Sequence, residues 1–226
     1  MIVELSPSLA CARQDRLGAE IAELVEAGAD SFHLDVMDGH FVPNLAFSTD
    51  LVAALRPLSS RPFHVHLMVE NPDAYVERMA SAGCETLIFH IEACRYPRRL
   101  MAQIESAGMR PGISINPSTP IAFLESVRDV PLIQVMTVEP GFAGQNWTTA
   151  SPGRVRAIRE LCGPNVAICV DGHINRRTAP MLRQAGAAIF VCGTSALFRG
   201  GSGADVYRPA LADLRNSIEI GIEGTA

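Results

Sequence analysis

Apolar residues along this chain gather into eight short runs rich in β-branched and aromatic side chains: Ile2–Pro7, Ser31–Met37, Pro62–Met68, Thr86–Ile91, Gly112–Asn116, Leu132–Thr137, Ala167–Asp171 and Ala188–Gly193. Runs of this kind, bounded by turn residues, predict strands. Most are separated by segments with helical spacing. Leu17, Ile21 and Leu24, for example, fall at i, i+4 and i+7 and share one helix face. Four such segments close on Ala27-Gly28, Ala82-Gly83, Ala107-Gly108 and Ala185-Gly186, just ahead of the next strand. Glycine there suits the left-handed conformation that follows a helix C-terminus. The spacings between these signals approach multiples of about 26 residues, the mark of a repeated strand–helix unit.

Eight strands alternating with about eight helices predict a (β/α)8 barrel. With no linker and no shift in composition, residues 1–226 read as one barrel domain. A doubly wound open sheet is the alternative, but no G-x-G-x-x-G turn follows the first strand. Gly200–Gly203 reads as a loop before the last helix, and Gly221–Ala226 as a frayed end.

Composition narrows the chemistry. The chain has 226 residues, 48% of them hydrophobic, enough for a sizeable core. A net charge of −5 gives no reason to expect nucleic acid or anionic membrane as a partner. The first residues lead straight into strand-like sequence without a signal-peptide pattern, and no apolar run approaches the roughly 18 residues of a membrane span. The six scattered cysteines form no C-x-x-C pair and fit reduced thiols in a cytoplasmic protein. All 19 basic residues are arginine. Without a lysine there is no Schiff-base chemistry and no ammonium to protonate a carbanion.

Polar residues interrupt the strand runs in a pattern. His33, Asp35 and Met37 share one face of the second run, and the third repeats it as His64, His66 and Met68. The seventh ends in Asp171, and Met136 lies near the end of the sixth. Singly, each has an ordinary explanation: a core histidine bonded to backbone, a helix-capping aspartate, a gap-filling methionine. Together they place histidine and aspartate at the C-terminal ends of three strands, where barrels of this fold build their sites. A buried carboxylate needs a cation, and no lysine can supply it. One divalent ion held by His33, Asp35, His66 and Asp171 would satisfy all four, and nitrogen and oxygen donors without thiolate suit zinc, manganese, cobalt or iron(II). No organic cofactor is called for. His64 sits deeper and reads as structural or as a support for the ligands. Three glycine-bearing loops follow the last strands: Gly141-Phe142-Ala143-Gly144, Gly172-His173 and Gly193-Thr194. Such loops, opening onto a helix N-terminus, present backbone N–H groups to an anion such as a phosphate.

The segments SPSL at 6–9, HLDVMDGHFVPN at 33–44, HLMVENP at 66–72, MTVEPGFAGQ at 136–145, VDG at 170–172 and CGTSALF at 192–198 resemble the ribulose-phosphate 3-epimerase family. The blocks run in family order over nearly the whole chain. The resemblance implies a (β/α)8 barrel that inverts carbon 3 of a ketose phosphate with a divalent metal, commonly as a homo-oligomer. By position, His33, Asp35, His66 and Asp171 match the metal ligands, Asp35 the proton acceptor and Asp171 the proton donor. Ser8, His33 and His66 match sugar contacts, and the three glycine loops match the phosphate grip. Here His173 replaces the commoner second glycine, Ala143 stands where glycine is usual, and Leu9-Ala10-Cys11 replaces isoleucine-leucine-serine. SPSL followed by a nearby cysteine, MTVEPGFAGQ and GTSALF resemble the D-allulose-6-phosphate 3-epimerase branch, which also lacks that second glycine.

The expected substrate is therefore D-ribulose 5-phosphate, with D-allulose 6-phosphate second. Met37, Met68 and Met136 are expected to line the pocket and exclude water from a planar enediolate. A lyase on the same barrel and a non-catalytic sugar-phosphate binder are the competing functions. A related decarboxylase needs a lysine that this chain lacks. A metal aldolase would leave Asp171 without a task, and a binder would lack one of the acids or ligands.

Overall fold

A computed structural model describes residues 2–223. Its eight strands are β1 (Glu4–Pro7), β2 (Phe32–Met37), β3 (Phe63–Met68), β4 (Thr86–His90), β5 (Arg110–Ile115), β6 (Leu132–Met136), β7 (Ala167–Asp171) and β8 (Ile189–Cys192). All pair in parallel, in the order β1-β8-β7-β6-β5-β4-β3-β2. A parallel bridge from Ser8 to His33 brings the outer two strands together, and the sheet curls into a (β/α)8 barrel.

The α-helices of the described residues are α1 (Leu17–Ala27), α2 (Thr49–Leu55), α3 (Val76–Ser81), α4 (Pro97–Ser106), α5 (Ser151–Cys162), α6 (Thr178–Gln184) and α7 (Ala204–Glu223). The connection between β5 and β6 is instead a 3-10 helix, Ile121–Val127. Pro117, Pro120 and Pro131 bracket it, and prolines without a donor leave little room for a longer α-helix. Gly28, Gly83, Gly108 and Gly186 take φ of 98°, 76°, 83° and 115°, the left-handed turn their Ala-Gly signals predicted.

Three boundaries depart from the sequence reading by more than one residue. β1 begins at Glu4, where its pairing with Ile189 starts, and Ile2 is exposed. β5 begins before Pro111: the Arg110 N–H donates to the Glu85 carbonyl at 2.8 Å, so the missing N–H of Pro111 faces β6, whose ladder starts only at Gly112. α7 runs on past Gly221 to Glu223, contrary to the frayed end expected from Gly221, and 224–226 lie outside the described residues.

Strand alternation creates two interiors. Outward-facing Leu5, Phe32, Phe63, Phe89, Ile133 and Phe190 are buried between barrel and helices. The inward-facing apolar set is much smaller, Ile88, Leu132, Cys169, Ile189 and Val191. It shares the barrel with buried polar side chains, among them Ser6, His33, His66, Thr86, His90, Ser114 and Gln134. The chain ends are clasped where the Tyr207 hydroxyl of α7 donates to the buried Glu20 of α1.

Gly112 lies in this tight interior: a Cβ there would sit 2.8 Å from Ile88 Cγ1 and 3.0 Å from Leu132 Cδ2. Gly112→Ala is expected to destabilise the fold by about 1–3 kcal/mol through overpacking. Urea unfolding reads this directly, and an unchanged midpoint would mean that the inner layer yields more easily than the distances imply.

Candidate active site

The parallel register stacks inward side chains toward the C-terminal ends of the strands, where a cavity of about 460 Å³ opens. Ser8, Asp35 and Asp171 form its polar floor, and Met37, Met68 and Met136 an apolar wall. Its rim is made by Gly141–Gly144, Gly172-His173 and Gly193-Thr194. His33 and His66 lie just beneath, fully buried.

Asp35 faces His66 across the β2–β3 ladder, and Asp171 comes from β7 on another arc of the barrel. His33, Asp35, His66 and Asp171 each offer one ligand atom, all within 4.8 Å of one another. His33 Nε2 is 3.3 Å from Asp35 Oδ1 and 3.6 Å from Asp171 Oδ2. His66 Nδ1 is 3.3 Å and 3.8 Å from the same two atoms. The Ser8 hydroxyl donates to the other Asp35 oxygen at 2.8 Å, and the Gln134 amide donates weakly to Asp171 Oδ2 at 3.4 Å.

Neither ring nitrogen of His33 has a hydrogen-bond partner, although the ring is buried. An unsatisfied buried polar group costs roughly 1–3 kcal/mol, and here its Nε2 points at two carboxylates. The donor set of two imidazole nitrogens and two carboxylate oxygens could hold a divalent ion, and it does not fix which one.

The two carboxyls have been driven apart in proton affinity. Burial would raise Asp35, but the His33 and His66 imidazoles overcome it and hold this carboxyl far below the usual carboxylate range. Burial pushes Asp171 up to about 6, with the Asp35 charge adding to the rise and His33 opposing it. Burial would depress His33, yet Asp35 and Asp171 raise it, whereas burial takes His66 down to about 3.

The rim depends on glycine. A Cβ at Gly172 (φ 111°) would lie 2.6 Å from Val138 Cγ2 and 2.9 Å from Thr137 Oγ1. His173 itself adopts a left-handed φ of 52°, and its Nδ1 lies 3.0 Å from the Gln145 carbonyl. That contact ties the end of β7 to the segment after Gly144. Asn44 donates to the Gly141 carbonyl at 2.7 Å, while Phe142 stays half exposed. Contrary to the sequence reading, Gly193-Thr194 does not open an α-helix. The Ala196 and Leu197 N–H groups both donate to the Gly193 carbonyl in a turn, and α7 starts only at Ala204, beyond Gly201 and Gly203 at positive φ.

Some neighbours of the site escaped the sequence reading. His66 Nε2 lies 2.8 Å from His90 Nε2, and His90 Nδ1 lies 3.2 Å from Glu92 Oε2. The available signal was a fourth run that also ends in histidine with a carboxylate two residues on. Gln134, on β6, gave no such signal. His64 plays no part at the cavity: its Nε2 faces Glu4 at 3.6 Å toward the opposite end of the barrel, and burial lowers it to about 3. Cys11 does line the cavity, but burial raises its thiol to about 11, so it is no thiolate nucleophile.

Comparison with known proteins agrees with this architecture. The model of the ribulose-phosphate 3 epimerase family matches residues 4–198. A ribulose-phosphate 3-epimerase of Rhodobacter capsulatus is 41% identical over 217 residues, covering 94% of this chain and 94% of its own length. That of Bacillus subtilis (strain 168) is 37% identical over 221 residues, covering 96% of this chain and all of its own. A solved structure of Mycobacterium tuberculosis tryptophan synthase superposes with a TM-score of 0.72 over 96% of this chain and 93% of its own, at 17% identity, a likeness of fold alone. The chain belongs to the ribulose-phosphate 3-epimerase family of isomerases.

Proposed function

We propose that this protein is a metal-dependent epimerase that inverts carbon 3 of a 2-ketose phosphate, interconverting D-ribulose 5-phosphate and D-xylulose 5-phosphate. The names of its relatives favour the pentulose. The observation that carries the chemistry is the meeting of Asp35 and Asp171, from separate strands and with opposite pKa shifts, around two imidazoles.

Inversion at carbon 3 removes a proton beside a carbonyl and returns one to the other face. Asp35, ionised and steadied by Ser8, is the base on one face. Asp171, whose proton affinity burial raises, is the acid on the other. Positioned proton transfer of this kind is worth roughly 10²–10⁴-fold. His33, His66 and one oxygen of each aspartate would hold a divalent ion, and such an ion would supply Lewis-acid stabilisation of negative charge developing on the substrate oxygens. The second oxygen of each carboxyl would remain available to the proton, that of Asp35 while also accepting from Ser8. Met37, Met68 and Met136 exclude water from the planar intermediate, and backbone N–H groups of the Gly141–Gly144, Gly172-His173 and Gly193-Thr194 segments grip the phosphate.

Incubation with D-ribulose 5-phosphate in deuterated water is expected to yield D-xylulose 5-phosphate carrying deuterium at carbon 3. Smaller fragments would indicate a lyase, and unchanged sugar would reject both. The same assay on D-allulose 6-phosphate sets the hexulose against the pentulose by kcat/KM.

Asp35→Asn and Asp171→Asn are each expected to lower kcat by about 10²–10⁴-fold with a much smaller change in KM. Chelation should abolish turnover of the wild type and added divalent ion restore it. Full activity in the chelated protein would end the metal-dependent reading.

Asp171 also makes a pH prediction for the metal-free protein. Its folded-state pKa is raised from 3.8 to about 6, so its stabilising contribution is complete below 3.8 and is lost as pH rises through 6. That difference is worth on the order of 3 kcal/mol. From pH 4 to pH 7 the stability of Asp171→Asn should therefore gain on the wild type by about that amount. Parallel unfolding curves across this range would contradict the assignment.

A further inference from the structure

His66 is held from two sides. Nδ1 faces the carboxylates, and Nε2 faces His90 at 2.8 Å. His90 in turn faces Glu92, whose Oε1 accepts the Asn116 N–H at 2.8 Å. We propose that His90 and Glu92 are positioning residues that fix the ring tautomer of His66, presenting its Nδ1 lone pair to the bound divalent ion. This deepens, and rests on, the metal-dependent reading above.

The order of donors along the chain follows from what each group can do. Ionised Glu92 only accepts, so the proton between Glu92 and His90 belongs to His90 Nδ1, 3.2 Å away. A cationic His90 would put a second positive charge beside an ion-binding ring, where burial weakens screening. His90 is therefore neutral and its Nε2 an acceptor. The proton at the 2.8 Å contact then belongs to His66 Nε2, which leaves His66 Nδ1 bare. A bare lone pair 3.3 Å from Asp35 Oδ1 and 3.8 Å from Asp171 Oδ2 meets oxygens that repel it, and a cation resolves that conflict. In the opposite tautomer Nδ1–H would donate to Asp35 and could not ligate. His90 is buried and its ring packs 4.6 Å from that of Phe41, which shields its contact with the buried His66 from water.

The test reads the metal-free protein and the same protein titrated with zinc. In His90→Phe the ring still packs but cannot accept. The ¹⁵N shifts of His66 should then move from the Nε2–H pattern toward Nδ1–H, and zinc affinity measured by calorimetry should fall by about 10–100-fold. His90→Gln, whose amide oxygen can accept from His66 while its nitrogen donates to Glu92, should restore much of both. If His90→Phe fails to fold, Glu92→Gln carries the same two readouts at a side chain that is 20% exposed. His66 shifts and zinc affinity both unchanged in a folded variant would overturn the positioning role. A wild-type protein that takes up no zinc would overturn the metal half, while the shifts in the metal-free protein still decide whether the relay sets the tautomer.

Discussion

Two carboxyls buried side by side constrain everything else in this molecule. Asp35 and Asp171 bring ligand atoms within 4.8 Å of each other in a chain that has no lysine to neutralise them. Like charges so placed cannot both ionise freely, and removing either from water costs several kcal/mol even after the protein relaxes around it. The fold answers by asymmetry. Two imidazoles and the Ser8 hydroxyl favour the anion at Asp35, while at Asp171 burial outweighs His33, the Gly172 N–H and the weak Gln134 amide. The resulting split is what an acid and a base need if each is to serve one face of a planar intermediate.

The barrel makes this arrangement possible because its register is inherited by the side chains. Once β2 and β3 pair with Asp35 opposite His66, His33 must fall one layer deeper on the same face. From there its Nε2 reaches both carboxylates. The Ser8–His33 bridge that brings β1 beside β2 also delivers the Ser8 hydroxyl to Asp35. Closing the sheet and building the floor of the site are thus one structural event. The small apolar cluster deeper in the barrel, Ile88, Leu132, Cys169, Ile189 and Val191, underlies the polar layer and keeps water from approaching it from below.

Legibility in the sequence tracks the range of the forces involved. The strands and the Ala-Gly helix ends were readable because period-two alternation and left-handed glycine are local properties. His33 and Asp35 were readable because they share one strand face, and His66 because it repeats that pattern on the next strand. The His66–His90 contact was not, since it depends on how two rings tilt across neighbouring strands. The 3-10 connection before β6 was not foreseen because proline placement sets helix type there, and the turn after Gly193 was misread because closely spaced glycines interrupt the helix. His64 reads as deeper than the ligands and structural, and it is deeper. Its spacing matched that of His66, yet one step of the pleat places it beside Glu4, away from the cavity.

The composition of the cavity wall carries one further implication for the proposed chemistry. No arginine is among the residues that line it, so a phosphate held there would meet backbone N–H groups rather than a cationic side chain. An arginine or lysine within reach of Asp171 would favour its anion and pull its pKa down toward that of Asp35. The distinction between acid and base would then narrow. Backbone donors of such glycine segments can bind an anion through fixed dipoles while adding no full charge to the neighbourhood of the two aspartates. A glycine-built grip thus leaves the raised proton affinity of Asp171 in the metal-free protein to burial and the Asp35 charge, whereas a divalent ion bound among the carboxyls would lower it.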